Sequence, residues 1–386
     1  MTAHPTGDPL GVLEPSLDVP GDEGLGPSPD EDPRRRRWRG LLVWSATSAP
    51  VGLLLMAGIA IGPRGINLLS LSTLTLLDPV VPVALAAFGV LIGLSANDRR
   101  TDDARIRGAA CLAAAVTVLV VSAGFGVVAL TAMSSVARPF WILILTGGIC
   151  AATSLTLPSD DSLEPRSAGT RVIELGVLLP IVAGGLMLAW LRAGSFAAAG
   201  VLVAHACGVT LALAAAAWLL LTRASSETEE RVFAVSALLL VGGVAAALSL
   251  SALFAGLVAG LLWRYAGRHP RETIRRDALF VQHPLLVLVL LVAGARADLS
   301  FSTLALGMGY VVLRVAGQLA AGDTSCYGAG GNALRDLGLH LLPPGVFGVG
   351  FALNVASVIG TDTSMLLAAV VVGTIGSEFV AVLLPP

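Results

Sequence analysis

The sequence predicts an all-α polytopic membrane protein with about twelve transmembrane helices, built as two inverted five-helix repeats with crossing broken helices. One observation is composition: of 386 residues, 55% are hydrophobic and only 13% are charged, whereas soluble chains average about 25% charged. A second is that long apolar runs recur from residue 40 to residue 384. The runs are continuous rather than alternating, which argues against an outer-membrane β-barrel. The third is that charge gathers in the loops between runs.

Residues 1–39 precede the runs and are predicted to form a disordered cytoplasmic tail. They are acidic and rich in proline and glycine, and they end in the arginine block RRRRWR at 34–39. A secretory signal peptide would be shorter, would start nearer the N-terminus and would end at a small-residue cleavage site. The arginine block instead predicts that the N-terminus lies in the cytoplasm, at the inner (plasma) membrane of a cell. Contact with anionic lipids of the bilayer is its second predicted role.

Residues 40–386 are predicted to form one membrane domain. Its apolar runs fall at 40–62, 75–96, 107–131, 139–157, 172–191, 196–222, 231–249, 250–265, 279–296, 302–321, 335–359 and 364–384. The stretch 231–265 could be read as one long tilted helix, but loop charge favours two. The loop at 264–276 carries five arginines and should be cytoplasmic, and only a split near Leu248–Ser251 places it there. With the split, both chain termini are cytoplasmic.

This topology contains a symmetry. The first five segments begin inside, whereas the last five begin outside and end inside. We therefore predict repeat one at 40–192, two linking helices at 196–249 and an inverted repeat two at 250–386. Inverted repeats are common in secondary transporters, whose substrate site lies at the repeat interface near the membrane midplane.

Arg314 is the one charge well inside the tenth run. An arginine near the middle of a spanning helix costs roughly 2.5–3.5 kcal/mol on insertion scales, so such a residue is usually functional. We expect Arg314 to face the bundle interior and to meet an anionic partner or an ion pathway. The alternatives are a guanidinium that snorkels to the interface or one that ties two helices together.

Two runs carry interruptions at equivalent places of the two predicted repeats. In the fourth run, Gly147 and Gly148 are followed by Thr153 and Ser154, which weaken helical hydrogen bonding. In the eleventh run, Pro343, Pro344 and Gly345 should break or kink the helix, because proline removes an amide donor and clashes with the preceding turn. Broken helices expose partial charges at their ends, which can face an ion or a buried side chain. Glycine and proline are also frequent in ordinary membrane helices.

Two acidic residues of the runs, Glu174 and Glu378, are considered for a part in ion binding. Glu174 is near the start of the fifth segment. It is either a carboxylate that binds a proton or a cation, or an interfacial residue favoured at a helix N-terminus. Glu378 lies deep in the last segment, and we expect it to be a structural partner for a helix end.

Several functional classes have no support in the sequence. The cysteines Cys111, Cys150, Cys207 and Cys326 are scattered without metal-ligand spacing, so we expect free thiols and no metal site. A net charge of −2 and the absence of a basic surface give no sign of a nucleic-acid partner. We find no nucleophile–base set for an enzyme and expect no cofactor.

Four stretches resemble motifs of the monovalent cation/proton antiporter superfamily, most closely its branch of bacterial sodium/proton exchangers and potassium-efflux proteins. They are GIAIGPRG at 58–65, LSLSALFAGLVAG at 248–260, YVVLRVAGQ at 310–318 and VVGTIGSE at 371–378. The resemblance implies a homodimer with a dimerisation domain, and a core built around two crossing broken helices. It implies that Thr153 and Ser154 lie in the first break and that Arg314 is the basic residue that compensates the core carboxylate.

Glu174 is where the chain departs from this family. Leu175 stands where the family has its ion-binding aspartate, and Glu174 stands in the neighbouring place. Relatives with two adjacent acids tend to be electrogenic, so a chain with one acid should be electroneutral. The resemblance thus implies exchange of sodium or potassium for protons. The displaced acid leaves two alternatives open: a transport-inactive sensor or scaffold of the same fold, or a transporter of another solute with Arg314 as counter-ion.

Overall fold

The structure is a computed structural model that describes residues 51–95, 104–132, 138–154, 168–265, 268–329, 337–360 and 363–384. The predicted tail at 1–39 and the first part of the run at 40–62 lie outside the described residues. The described residues form fifteen α-helices and one isolated β-bridge. The helices are α1 Val51–Ile61, α2 Leu71–Leu77, α3 Val80–Ser95, α4 Ala104–Ala132, α5 Arg138–Ala151, α6 Ala168–Gly176, α7 Leu178–Ala193, α8 Phe196–Arg223, α9 Glu227–Ala247, α10 Ala252–Tyr265, α11 Arg268–Arg296, α12 Phe301–Ala329, α13 Leu337–Leu341, α14 Val346–Ile359 and α15 Ser364–Leu383.

The described helices confirm the prediction of an all-α polytopic membrane protein. Seven helices or near-continuous pairs are long and apolar enough to cross a membrane, and an eighth span is gained if α2 and α3, bent by 42°, count as one. Helices α1, α10 and α14 are apolar but shorter, at 11, 14 and 14 residues. A span needs about 20 residues, and the described parts of these three helices are shorter than that. Each of the twelve predicted runs nevertheless overlaps at least one of the described helices.

Two of the predicted boundaries differ from the structure. The basic stretch predicted as a loop is helical from Arg268 onward, because α11 begins there. Arginine is a good helix former, so such a stretch can extend a spanning helix beyond the bilayer. Helix α12 likewise continues past the predicted end of the tenth run to Ala329. Hydropathy therefore locates the apolar centre of each helix but misses its polar ends.

The predicted split of the stretch 231–265 is present. Helix α9 ends at Ala247 and α10 begins at Ala252, and Ser249 between them has a φ of 49°, which a continuing helix cannot accommodate. The Arg192 side chain, from the end of α7, donates hydrogen bonds to the carbonyl oxygens of Leu248 and Ser249. The turns after α7 and after α9 therefore lie at the same end of the bundle, as the split requires.

Charged contacts assign other turns to the two ends. At one end, the Arg276 guanidinium lies 3.3 Å from the Glu227 carboxylate, which joins the start of α11 to the start of α9. At an opposite-end turn, the Arg64 guanidinium lies 2.9 Å from the Asp298 carboxylate, joining the turn after α1 to the turn after α11. The predicted topology places successive turns alternately at the two ends of the bundle. Each of the two ion pairs joins turns that this topology places at the same end.

Two close helix contacts are made through glycine. Helix α3 packs along α10, where Gly256 lies directly against the Ala86 carbonyl group. Helix α1 packs along α11, where a Cβ on Gly58 would lie 2.5 Å from the Leu291 carbonyl oxygen. Small residues let helix backbones approach closely in membrane proteins. In the predicted repeats, α1 corresponds to α10 and α3 corresponds to α11. The α3–α10 contact is therefore equivalent to the α11–α1 contact.

Candidate functional site: the crossing of two interrupted helices

The first predicted interruption falls at the C-terminal end of α5, and residues 155–167, directly after Ser154, lie outside the described part of the chain. The helix ends at Ala151, and the chain then leaves helical geometry through Thr153 and Ser154, both of which are buried. The Thr153 hydroxyl donates a hydrogen bond of 2.8 Å to the Cys150 carbonyl oxygen. Because the last carbonyl groups of a helix lack intrahelical donors, this end presents acceptors to the protein interior.

Gly147 and Gly148, predicted as part of the interruption, lie inside α5 instead. A Cβ on Gly148 would lie 2.9 Å from the Val118 carbonyl oxygen of α4, so this glycine permits close packing of the two helices. The interruption therefore begins beyond the glycine pair. The two glycines thus lie in the predicted helix, but about one turn before its end, where Gly148 allows close packing against α4.

The second interruption lies at the predicted residues. Helix α13 ends at Leu341, and α14 begins at Val346 with Gly345 as its N-cap. Pro343 and Pro344 occupy the gap, because neither can supply the amide donor that a continuous helix needs. Ser154 and Pro344 form an antiparallel β-bridge, so the two interrupted segments meet in extended conformation. This is the crossing that the sequence predicted.

Arg314 reaches this crossing from α12 and is only 2% exposed. Its Nε donates to the Ala151 carbonyl oxygen at 3.3 Å, and its Nη2 donates to the carbonyl oxygens of Thr153 at 3.1 Å and Pro343 at 3.3 Å. The guanidinium thus binds the carbonyl ends of both interrupted segments. These carbonyl dipoles, one of them at the last residue of α5, balance part of the positive charge.

Gln318 is a polar residue of the crossing that the sequence reasoning did not select. It lies one turn after Arg314 and is 2% exposed, and its Nε2 donates to the Ala151 carbonyl oxygen at 3.3 Å. The signal was present, because residues four apart share one face of a helix. A buried arginine in an apolar helix therefore draws attention to any polar residue one turn away.

Glu174 lies in α6 and is partly buried. Helix α6 packs with α4, α12 and α13 through Val172, Ile173 and Leu175. Leu175 is the residue that stands where the family has its aspartate. The role predicted for Glu174 is not tested by these contacts and stays a prediction. Among the described residues, no carboxylate forms an ion pair with the Arg314 guanidinium. The main-chain carbonyl groups of the interrupted segments bind it instead.

Glu378 makes its contact away from α12. Its carboxylate, on α15, accepts a hydrogen bond from the Gly52 amide in the first turn of α1. A carboxylate is favourable at the positive N-terminal end of a helix. This contact is of the kind expected of a structural acid, since it joins the last helix to the first described one.

The described residues contain no group of three or more histidine, cysteine or acidic side chains that could hold a metal ion. At the crossing, the Arg314 guanidinium binds main-chain carbonyl groups and the Gln318 amide shares one of them, while the Cys150 thiol and the Tyr310 phenol are buried nearby. Such a set can bind and orient polar groups. A carboxylate would have to come from a neighbouring helix such as α6.

No protein-family model and no curated protein sequence matches the chain. Among solved structures, the fold is similar to that of the sodium proton antiporter MjNhaP1 from Methanocaldococcus jannaschii, in a structure at pH 8. The two chains are 15% identical, the match covers 91% of this chain and 95% of that one, and the TM-score is 0.62. At this identity the likeness establishes the fold. The fold that the sequence resemblance implied is thus confirmed.

Proposed function

We propose that this chain is a secondary active transporter that exchanges a monovalent cation, sodium or potassium, for protons across the inner (plasma) membrane. The observation that carries the proposal is the crossing itself. A buried arginine joins the carbonyl ends of two interrupted helices in a chain with the fold of a sodium proton antiporter. Irregular backbone at membrane depth is tolerated where it is buried in protein or lines a water-filled cavity, and transporters place their ion sites at such breaks.

The proposed mechanism uses one titrating carboxylate. Glu174 binds either a proton or the cation, and Thr153 and Ser154 supply oxygen atoms near the break. Arg314 holds the carbonyl ends of the crossing together and compensates the carboxylate when it is empty. We also propose that the two repeats are related by inversion, which the exchange of partners between α3–α10 and α11–α1 supports. One repeat moving against the other would give alternating access.

Glu174→Gln is the variant that tests this assignment. We expect sodium- or potassium-dependent proton flux in proteoliposomes to fall to the level of empty liposomes, because the amide cannot exchange a proton for a cation. Glu227→Gln is the matched control, since Glu227 is an exposed acid that pairs with Arg231 at the start of α9. Flux that survives Glu174→Gln would remove Glu174 from the mechanism.

The ion and the stoichiometry are tested together. Proton flux driven in turn by lithium, sodium and potassium gradients identifies the cation. With one titrating acid we expect electroneutral exchange, so clamping the membrane potential at zero with an ionophore for an ion that the protein does not carry should leave the rate unchanged. A rate that rises when the potential is clamped would show net charge movement and contradict the single-acid mechanism.

The proposed topology places both termini in the cytoplasm, and it predicts which turns are reachable from each side. In a background without native cysteines, Ser225→Cys in the turn before α9 should react with a membrane-impermeant maleimide only in inverted vesicles. Ser72→Cys, in α2 at the other end, should react only in right-side-out vesicles or intact cells. Both positions are exposed, so access is decided by side. The reverse pattern would invert the topology.

A second candidate is a transport-inactive membrane sensor or scaffold of the same fold. It is favoured by the contacts of Arg314, whose charge is met by three main-chain carbonyl groups without any carboxylate of the described residues. A protein that folds and assembles normally but carries no cation-dependent proton flux would support it. The homodimer implied by the family resemblance is also a proposal, and its mass in detergent tests it.

A further inference from the structure

We propose that Gln318 is a positioning residue that holds the Arg314 guanidinium in place at the helix crossing. This inference deepens the proposed function, because it concerns the same site and predicts how cation affinity depends on it. It rests on the geometry around one acceptor atom, the Ala151 carbonyl oxygen at the end of α5.

The Ala151 carbonyl oxygen receives two donors from α12. Arg314 Nε and Gln318 Nε2 each lie 3.3 Å from it. A carbonyl oxygen has two lone pairs, so these two donors use its full capacity. With Gln318 in place, the guanidinium can approach only along the remaining lone-pair direction. Its Nη2 is then directed at the carbonyl oxygens of Thr153 and Pro343.

The backbone around Gln318 is held as well. A Cβ on Gly338, in α13, would lie 3.2 Å from the Gln318 carbonyl oxygen. On the preceding residue, the Gly317 carbonyl oxygen accepts a 3.5 Å hydrogen bond from the Thr117 hydroxyl of α4. Gln318 therefore contacts the first interrupted segment through its side chain and packs against α13, just before the second, through its main chain. It is placed to fix α12 against both.

The hydrogen bonds of Arg314 alone do not fix the orientation of its guanidinium. An arginine side chain has several freely rotating bonds, and each of its three hydrogen bonds is at least 3.1 Å long. Its Nη1 atom is buried and has no hydrogen-bond partner among the described residues. Without Gln318, the guanidinium could turn to offer Nη1 to the Ala151 carbonyl oxygen. The positive charge would then move relative to the ion site, which would weaken cation binding without removing the titrating carboxylate.

The test compares two variants of similar size. Gln318→Met removes the donor, whereas Gln318→His keeps a neutral N–H donor of similar reach. For Gln318→Met we expect the cation concentration at half-maximal flux to rise about fivefold, the equivalent of one neutral hydrogen bond, with the maximal rate little changed. For Gln318→His we expect a value close to that of the unmodified protein. A purely structural role would lower the amount of folded protein and the maximal rate in both variants.

A second readout is independent of transport. Cys150 precedes Ala151 and is 2% exposed, so its thiol should react slowly with N-ethylmaleimide in a background with Cys111, Cys207 and Cys326 replaced by serine. We expect Gln318→Met to speed this reaction and Gln318→His to leave it slow. Gln318→Leu serves as the apolar variant if the methionine variant is not recovered folded.

The outcomes separate this inference from the proposed function. If the unmodified protein shows no cation-dependent flux but Cys150 reacts faster in Gln318→Met than in Gln318→His, the positioning role stands and the exchanger proposal falls. If flux is present and Gln318→Met matches the unmodified protein in both readouts, the positioning role is overturned. Equal impairment of the methionine and histidine variants overturns it too.

Discussion

Replacing Arg314 by leucine is expected to abolish cation-dependent proton flux and to lower the free energy of unfolding by about 2–4 kcal/mol. The guanidinium is the donor for three carbonyl groups, those of Ala151, Thr153 and Pro343. Leucine would remove a charged donor from these carbonyl groups, and a hydrogen bond to a charged group contributes about 1.5–3 kcal/mol. The relief from no longer burying a charge offsets part of this, so the expected loss is smaller than the sum.

Thermal unfolding in detergent and flux in proteoliposomes measure the two effects. The matched control is Arg64→Leu, because Arg64 also pairs at the end of a helix but its side chain is 60% exposed. Exposed ion pairs contribute about 0–1 kcal/mol, so this variant should unfold close to the unmodified protein. If Arg314→Leu proved as stable and as active as Arg64→Leu, the crossing would not depend on the guanidinium.

Gly256→Ala is expected to destabilise the bundle by about 1–3 kcal/mol or more, although it adds a single methyl group. A Cβ at Gly256 would overlap the Ala86 carbonyl group, and the neighbouring atoms are also backbone, so they cannot move aside without shifting α3. Alanine favours helix over glycine by about 1 kcal/mol, and this gain is too small to compensate. Thermal unfolding checks the prediction.

Gly243→Ala is the control with the opposite expected sign. Gly243 lies in α9, and a Cβ there meets nothing within 4 Å. The same change should therefore leave the stability unchanged or raise it by up to about 1 kcal/mol through helix propensity. Equal effects of the two substitutions would show that the α3–α10 crossing is looser than described.

The breaks show how far sequence reasoning reaches. Two consecutive prolines at 343 and 344 remove donors in any context, so their helix must stop there, and it does. Gly147 and Gly148 allow a break without requiring one, and α5 continues through them. A glycine in a helix can serve either to break the helix or to let another helix pack closely. Here the close approach of α4 shows that Gly148 serves packing.

The partner of Arg314 shows where the sequence is insufficient. A buried positive charge demands a negative counterpart, and the resemblance suggested Glu174. In the structure, main-chain carbonyl groups bind the guanidinium. Because every residue has such a group, this role cannot be recognised in the sequence. The same holds for Glu378, whose contact is the Gly52 amide, 326 residues away along the chain.

The amino-acid sequence by itself determined that this protein is a helical bundle for a membrane, where its apolar segments lie and that the stretch 231–265 is divided, and it favoured an inward-facing Arg314. These properties follow from hydropathy, from loop charge and from the cost of placing a charge in lipid, which depend on local composition. Only the tertiary structure decided which groups bind the guanidinium, that Gln318 donates to the same Ala151 carbonyl oxygen, and that α5 ends at Ala151. Those contacts join segments far apart in the chain through main-chain atoms, and main-chain chemistry is the same at nearly every residue.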